Sequence, residues 1–383
     1  RAIAPSEIVE EESPLARGEW HSEIVELPNG RSGIRWHTPL SQGQIYRGAL
    51  YPTPAYPADF ADAVQAAGTY WPGTPDEPRL DEWIFGGSGE KGFDATLWVD
   101  QVERFSTFFF DLFRLAVRRG GWELLLGYVP TIDETGHKLL LVDPRQPGYS
   151  EEKSALFARE RRRVWQRVDR ELASFLATLD LRTTAVILVS DHGMIPIHTR
   201  IQPRAVLAAA GLCREGSDDT GSRAIAWSDG GVSNIYLAPD FEAGSADPEA
   251  RRAALDDLAR RFSALSAHGE PAIDKVLRRE DLAEHGLDHP NSGDLVVFAA
   301  PGFTFDIDTF PNGDALAPTD VYGMHGHRRG PLRLDAAYLE LGAGVVRRGS
   351  IPALSALEVA ARVARHLGIE PPVRSLASLP LKP

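Results

Sequence analysis

Tyr128-Val129-Pro130-Thr131-Ile132-Asp133-Glu134-Thr135-Gly136-His137 is the stretch on which the reading of this chain turns. The apolar run Leu124 to Val129 before it has the length of a short buried strand. Asp133 and His137 are four residues apart, so one helical turn after that strand puts both on one face. Val189-Ser190-Asp191-His192-Gly193-Met194 repeats the arrangement after a second apolar run, Ala185 to Val189. Neighbours on a regular strand point to opposite faces, so Asp191 and His192 converge only in a loop, and Gly193 supplies the sharp turn. Met324-His325-Gly326-His327 brings a third cluster from far along the chain. Carboxylate and neutral imidazole are oxygen and nitrogen donors that suit Zn²⁺ or a similar divalent ion. A lone D-x-x-x-H is common by chance, and taken singly Asp133/His137 could cap a turn and Asp191 a helix. The metal reading rests on all three clusters together.

Outward from these motifs, the pattern is strand, helix, strand. Trp98 to Arg119 has apolar residues at helical spacing (Val102, Phe105, Phe109, Phe113, Val117) and stops at Gly120-Gly121. Glu151 to Leu179 reads as a long helix between the two apolar runs, which implies a parallel sheet with helical crossovers. Pro57 to Ala67, Arg204 to Ala210, Glu249 to Leu265 and Ala356 to Leu367 read as further helices. Ile225 to Leu237 reads as two strands around Asp229-Gly230-Gly231, with Leu295 to Ala299 and Tyr338 to Leu341 as strands. Residues 1 to 60, rich in Pro, Gly and Glu, read as irregular, and Pro301 to Tyr322 as a loop that delivers His325 to the site.

At 383 residues and 43% hydrophobic content the chain can bury a large core. No apolar stretch reaches the ~18 to 20 residues that span a bilayer. A formal net charge of −13 argues against a general nucleic-acid footprint. The basic run Arg159 to Arg167 is the exception in charge, and it reads as a solvated helix face. With the single Cys213 no internal disulfide forms, and a buried inert thiol is its expected state. Compartment stays open between cytoplasmic and extracytoplasmic, as does oligomeric state. Gly86 to Gly92 looks like a phosphate-cradling loop but lacks the G-x-x-x-x-G-K-[ST] order and reads as a surface loop. Among the remaining histidines (His198, His285, His289, His327), His327 is two residues past His325 and could swing toward a substrate phosphate, but support of the ligands or a solvent-facing placement is the favoured reading.

On these motifs the chain resembles the alkaline phosphatase superfamily, and within it the type I phosphodiesterase/nucleotide pyrophosphatase family. Y-V-P-T-I-D-E-T-G-H, V-S-D-H-G-M and G-M-H-G-H carry the resemblance, together with Thr69-Tyr70-Trp71-Pro72-Gly73, which looks like the family's W-P-G segment, and Gly293 to Val297. The resemblance implies an α/β fold, a mainly parallel sheet sandwiched by helices with a smaller α+β insertion. It implies one domain over residues 1–383, incomplete at its N-terminus, with a subdomain or cap at 200–322. It also implies two divalent ions, zinc foremost. Asp133, His137 and His325 would hold one, and Asp191 and His192 would contribute to the other. The substrate would be a small-molecule phosphate ester, with Tyr70, Trp71 and His327 at the pocket wall.

The family's first metal-binding Asp and its Thr or Ser nucleophile precede the W-P-G segment, and residues 1 to 60 show no apolar strand ending in Asp-Gly. The expectation is therefore a phosphodiesterase or nucleotide pyrophosphatase when complete, acting by in-line attack, with this chain alone inactive. The alternatives are a sister phosphatase, sulfatase or phosphonate hydrolase, and a non-catalytic metal-binding homologue.

Overall fold

The structure, a computed structural model, describes residues 2–40, 43–86, 93–213, 221–238, 248–306, 314–328, 334–346 and 349–372. In chain order its elements are β1 (Glu7–Glu10), β2 (His21–Glu26), β3 (Ser32–Pro39), β4 (Gln44–Arg47), α1 (Ala58–Ala66), α2 (Glu77–Phe85), α3 (Ala95–Arg119), α4 (Thr131–Leu139), α5 (Glu151–Leu176) and β5 (Ala185–Val189). They continue with β6 (Ile195–Ile201), α6 (Pro203–Ala209), β7 (Ala224–Asp229), β8 (Val232–Leu237), α7 (Pro248–Ser263), β9 (Ser266–Ala267), β10 (Glu270–Pro271) and β11 (Ile273–Arg278). After a 3-10 turn at Arg279–His285 come β12 (Leu295–Ala299), β13 (Gly302–Phe305), β14 (Leu316–Pro318), β15 (Gly323–Met324), β16 (Tyr338–Gly342) and α8 (Leu357–Leu367). Two compact units share the chain: Arg1–Glu134, Arg159–Asp191 and Ala336–Pro383 form the first, Thr135–Ala158 and His192–Asp335 the second. The stretch expected as a smaller subdomain falls within the second. Among the described residues no helix is long and apolar enough to cross a membrane.

In the first unit α3 is the organising element. Asp94 caps it, its carboxylate accepting from the N–H groups of Thr96 and Leu97 at 2.9 and 3.1 Å. Gly120, with φ +67°, ends it, as the Gly120-Gly121 signal predicts. The N-terminal residues expected to be irregular are instead a four-stranded antiparallel sheet in the order β1-β4-β3-β2. It is tied to α3 through Arg104, whose guanidinium lies between the rings of Trp20 and Trp36 at 4.0 and 4.7 Å. Trp20 also donates to Asp100 at 2.8 Å. The basic run is not simply solvated: Arg163 pairs with Asp100, Glu103 and Glu160, and Arg114 and Arg167 both pair with Glu171, so ion pairs join α5 to α3.

The mixed α/β class is as expected, and the differences lie in the pairing. Leu124 to Val129 forms no strand; Leu126 is 80% exposed. An extended segment becomes a strand only when a neighbour takes its backbone hydrogen bonds, and the segment has no ladder partner among the described residues. β5 pairs antiparallel with β16. Among the described pairings, β13 beside β6 is parallel and the others are antiparallel.

The second unit holds the sheet β11-β12-β8-β7, whose buried face (Ile235, Leu237, Leu295, Val297, Ala299) shares one apolar core with Leu258 and Phe262 of α7 and Val206 and Leu207 of α6. The same core takes in Ile201 of β6 and Phe303 and Phe305 of β13. β6 was not foreseen. It carries β13 and β14 beside it and pairs with β15 at its start. Buried Gln146 links these pieces: its Oε1 accepts from the N–H groups of Val142 and Asp143, and its Nε2 donates to the carbonyls of Leu140, Ile197 and Tyr322 at 3.0, 3.0 and 2.8 Å. The Gly86 to Gly92 loop lies, beyond Gly86, outside the described residues.

Gln146→Leu keeps the volume but strands those buried groups, and should lower the unfolding free energy by about 3 kcal/mol in urea denaturation. A loss under about 0.5 kcal/mol, the range of ordinary surface changes, would show the clamp to be dispensable. Acid should expose a second device. Burial alone would raise the Glu340 carboxyl pKa, but hydrogen bonds from His366, Tyr338 and Arg362 outweigh it and hold the group below the usual glutamate range. A depressed carboxylate contributes stability above its unfolded pKa, about 4.3, and loses it as pH falls through the folded value. Glu340→Gln should therefore cost about 2 kcal/mol at pH 7, with the gap to the unsubstituted protein closing below about pH 4. A gap independent of pH would contradict the linkage.

Candidate metal centre

Helix α4 carries the first motif, and its local chemistry explains why a helix starts there. Pro130 accepts the first helical bond from the Glu134 N–H at 3.0 Å. Acidic Asp133 and Glu134 lie in the first turn and Lys138 in the last, each complementing the helix dipole. Thr131 is fully buried, its hydroxyl bonded to that of Ser106 at 2.9 Å. The unit boundary falls inside α4, and the helix passes through it unbroken, so Asp133 is held one turn from His137 by the helix itself.

His137 is oriented on both its backbone and its ring. Its carbonyl accepts from the Tyr322 N–H at 2.7 Å, and its Nδ1 lies 2.8 Å from the Gly323 carbonyl oxygen. A carbonyl can only accept, so Nδ1 carries the proton and Nε2 keeps its lone pair for a metal, the usual support of a ligating histidine. The close approach of β15 needs glycine at 323, where a Cβ would come within 2.5 Å of the Gly136 carbonyl oxygen. β15 in turn pairs with the start of β6, Gly323 opposite Pro196 and Met324 opposite Ile195.

His325 follows directly, its ring 5.1 Å from that of His137. One ligand atom each from Asp133, His137 and His325 all lie within 4.8 Å of one another. A carboxylate and two imidazoles match the three-ligand donor set of a catalytic zinc, so the residues fit the ion. The second motif sits in the loop after β5, as the adjacency of its two residues required. His192 stacks on His325, with centroids 3.6 Å apart and planes at 15°. Its Nδ1 lies 3.1 Å from the Gly193 carbonyl oxygen, and the Gly193 N–H donates to Leu334. Asp191 is exposed, and neither it nor His192 joins the close triad.

Tyr128 opens the first motif, ahead of Asp133. Its phenol pKa is pushed up by burial, and then by the charges of Asp133, Asp191 and Glu134, so the carboxylates of both motifs act on one phenol. Of the residues expected at a substrate, Trp71 sits in an aromatic core of the first unit, its ring edge-on to Phe105, Phe108 and Phe109 at 5.1, 5.0 and 6.1 Å. Tyr70 is half-buried beside it. His327 spends its Nε2–H on the Phe303 carbonyl at 2.7 Å, and burial lowers its pKa. The expected loop from Pro301 to Tyr322 contains β13 and β14, and its residues 307–313 lie outside those described. Of the other histidines weighed, His198 is buried with Nδ1 bonded to the Thr199 hydroxyl, and His285 ends the 3-10 turn.

Three comparisons bear on what this arrangement belongs to. No curated protein matches the chain. Among solved structures, phosphonoacetate hydrolase from Sinorhizobium meliloti 1021 in complex with phosphonoformate is 19% identical with a TM-score of 0.40, the match covering 70% of this chain and 60% of that one. Human ectonucleotide pyrophosphatase/phosphodiesterase 5 is 15% identical with a TM-score of 0.37, covering 73% of this chain and 60% of the human one. The murine counterpart, in complex with AMP, is 16% identical with a TM-score of 0.37, covering 65% of this chain and 53% of its own. The chain thus spans 60% of the length of the first two. The family model described as type I phosphodiesterase / nucleotide pyrophosphatase matches residues 36–327, a span that includes all three metal motifs, and the chain belongs to that family.

Proposed function

We propose that this chain carries metal-binding machinery of a phosphate-ester hydrolase that acts on phosphodiesters or nucleotide pyrophosphates with zinc or a comparable divalent ion. The observation that carries the reading is the triad Asp133, His137 and His325, with the His137 tautomer set by Gly323. Bound there, a divalent ion supplies Lewis acidity toward a phosphoryl oxygen. The chain's own part is positional. Asp133 offsets positive charge, His137 presents Nε2, and His192 supports the His325 ring by stacking while Asp191 and His192 contribute to a second ion site. The nucleophile belongs, in this reading, to a segment outside residues 1–383. What supports that is the sequence of residues 1 to 60, which shows no apolar strand ending in Asp-Gly ahead of the W-P-G segment.

Metal content tests the first half of the reading. After gel filtration from zinc buffer, elemental analysis should find about one tightly held equivalent, because a three-ligand set is sufficient for one zinc and the second set is short of donors. His137→Ala and His325→Ala should each lose it, and Asp191→Asn should keep it. A metal-free chain, or zinc retained in both alanine variants, would end the assignment. Turnover tests the second half. Residues 1–383 should hydrolyse bis(nitrophenyl) phosphate close to the background rate with or without zinc. A form extended at its N-terminus should turn it over and lose that activity on His137→Ala or Asp191→Asn. Strong zinc-dependent turnover by the shorter chain would place the nucleophile within it instead.

A further inference from the structure

His325 reaches the triad from a loop, and a ligand on a loop is only as well placed as the loop's own anchors. One anchor precedes it, the pairing of Met324 with Ile195. A second is its own carbonyl, which accepts from the Gly231 N–H at 2.8 Å. The third follows it. The Nε2–H of His327 donates to the carbonyl of Phe303 at 2.7 Å, and Phe303 is a fully buried residue of β13 in the core of the second unit. The same ring presses on the β7–β8 turn: a Cβ at Gly231 would come within 2.5 Å of the His327 Cγ and Nδ1. The Gly231 backbone is therefore bonded to the carbonyl of His325 and packed by the ring of His327. A histidine committed in this way has its only ring N–H turned into the protein.

We infer that His327 is a positioning residue, which by donating to the Phe303 carbonyl and packing on Gly231 fixes the loop so that His325 is held ready for the metal, and that it does not contact substrate. The inference rests on the metal reading proposed above. It separates two roles that Met-His-Gly-His leaves merged, one histidine as ligand and the other as its support. Support of this kind typically sets metal affinity by 10–100-fold, although the supporting residue never touches the ion.

The probe is Co²⁺, whose visible absorption reports both affinity and ligand geometry, titrated into the unsubstituted chain, His327→Phe, His327→Gln and Gly231→Ala. His327→Phe keeps a ring but no N–H, and should bind Co²⁺ about 10–100-fold more weakly with an altered spectrum. His327→Gln retains an N–H able to reach Phe303, and should restore both. Gly231→Ala, which displaces the ring, should resemble His327→Phe. Hydrogen exchange of the Gly231 amide, followed in metal-free protein, should accelerate in His327→Phe and not in His327→Gln. Unchanged affinity, spectrum and exchange in His327→Phe would overturn the inference, as would a glutamine variant as impaired as the phenylalanine one. If the unsubstituted chain binds no Co²⁺, the metal reading falls by itself, and the exchange measurement alone decides whether His327 anchors the loop.

Discussion

The hydrogen bond from the His137 ring to the Gly323 carbonyl is the constraint on which the rest of the site depends. It joins the last turn of α4 to a two-residue strand far along the chain. It also settles which nitrogen of His137 bears the proton. The neighbouring backbone bond, Tyr322 N–H to the His137 carbonyl, makes the contact two-pointed, so helix and strand can neither slide nor rotate independently. Side-chain bulk would defeat this, since glycine at 323 is what lets the two backbones meet. Gln146 closes the circuit from behind by bonding to the carbonyls of Tyr322 and Ile197 on either side. A donor triad is thus built on backbone contacts whose loss would strand buried polar groups at about 1–3 kcal/mol each.

What could be read in the sequence follows from how local each signal is. α3 was legible because its apolar spacing and its Gly120 stop are carried within one segment, and β5 and β12 because short apolar runs flanked by polar loops have few other outcomes. The β7–β8 hairpin was legible from Gly230-Gly231. The N-terminal sheet was not: β1 finds its partner in β4, some forty residues away by number, and β2 is exposed at most positions, so no alternation announces a core face. Leu124 to Val129 failed in the opposite sense. Its composition satisfies a strand, but composition cannot supply the neighbouring backbone that makes one.

The site divides along the same line. Spacing placed Asp133 and His137 on one helical face and put Asp191 and His192 in a loop, because both follow from local geometry. Spacing could not say that His192 would stack on His325, nor that Trp71 would face three phenylalanines. Those outcomes depend on side chains brought together from separate segments. Arg159 to Arg167 gives the electrostatic version: the run looks solvated until α3 is placed beside it with Asp100 and Glu103.

The triad draws on an unbroken helix, a short strand and a loop pinned to a hairpin, so none of its ligand geometry exists in the unfolded chain. Binding to such a site is coupled to folding: an ion that prefers the native state stabilises it by RT ln(1 + [L]/Kd), about 2.7 kcal/mol at one hundred times Kd. The coupling also runs backwards. For an ion bound as proposed, anything that loosens the contacts of Gly323, Gly231 or Gln146 would lower its affinity without touching a ligand, because part of the binding energy must then restore the geometry. The small residues and the buried amide around this triad are consequently as much a part of its chemistry as the carboxylate and imidazoles that would meet the ion.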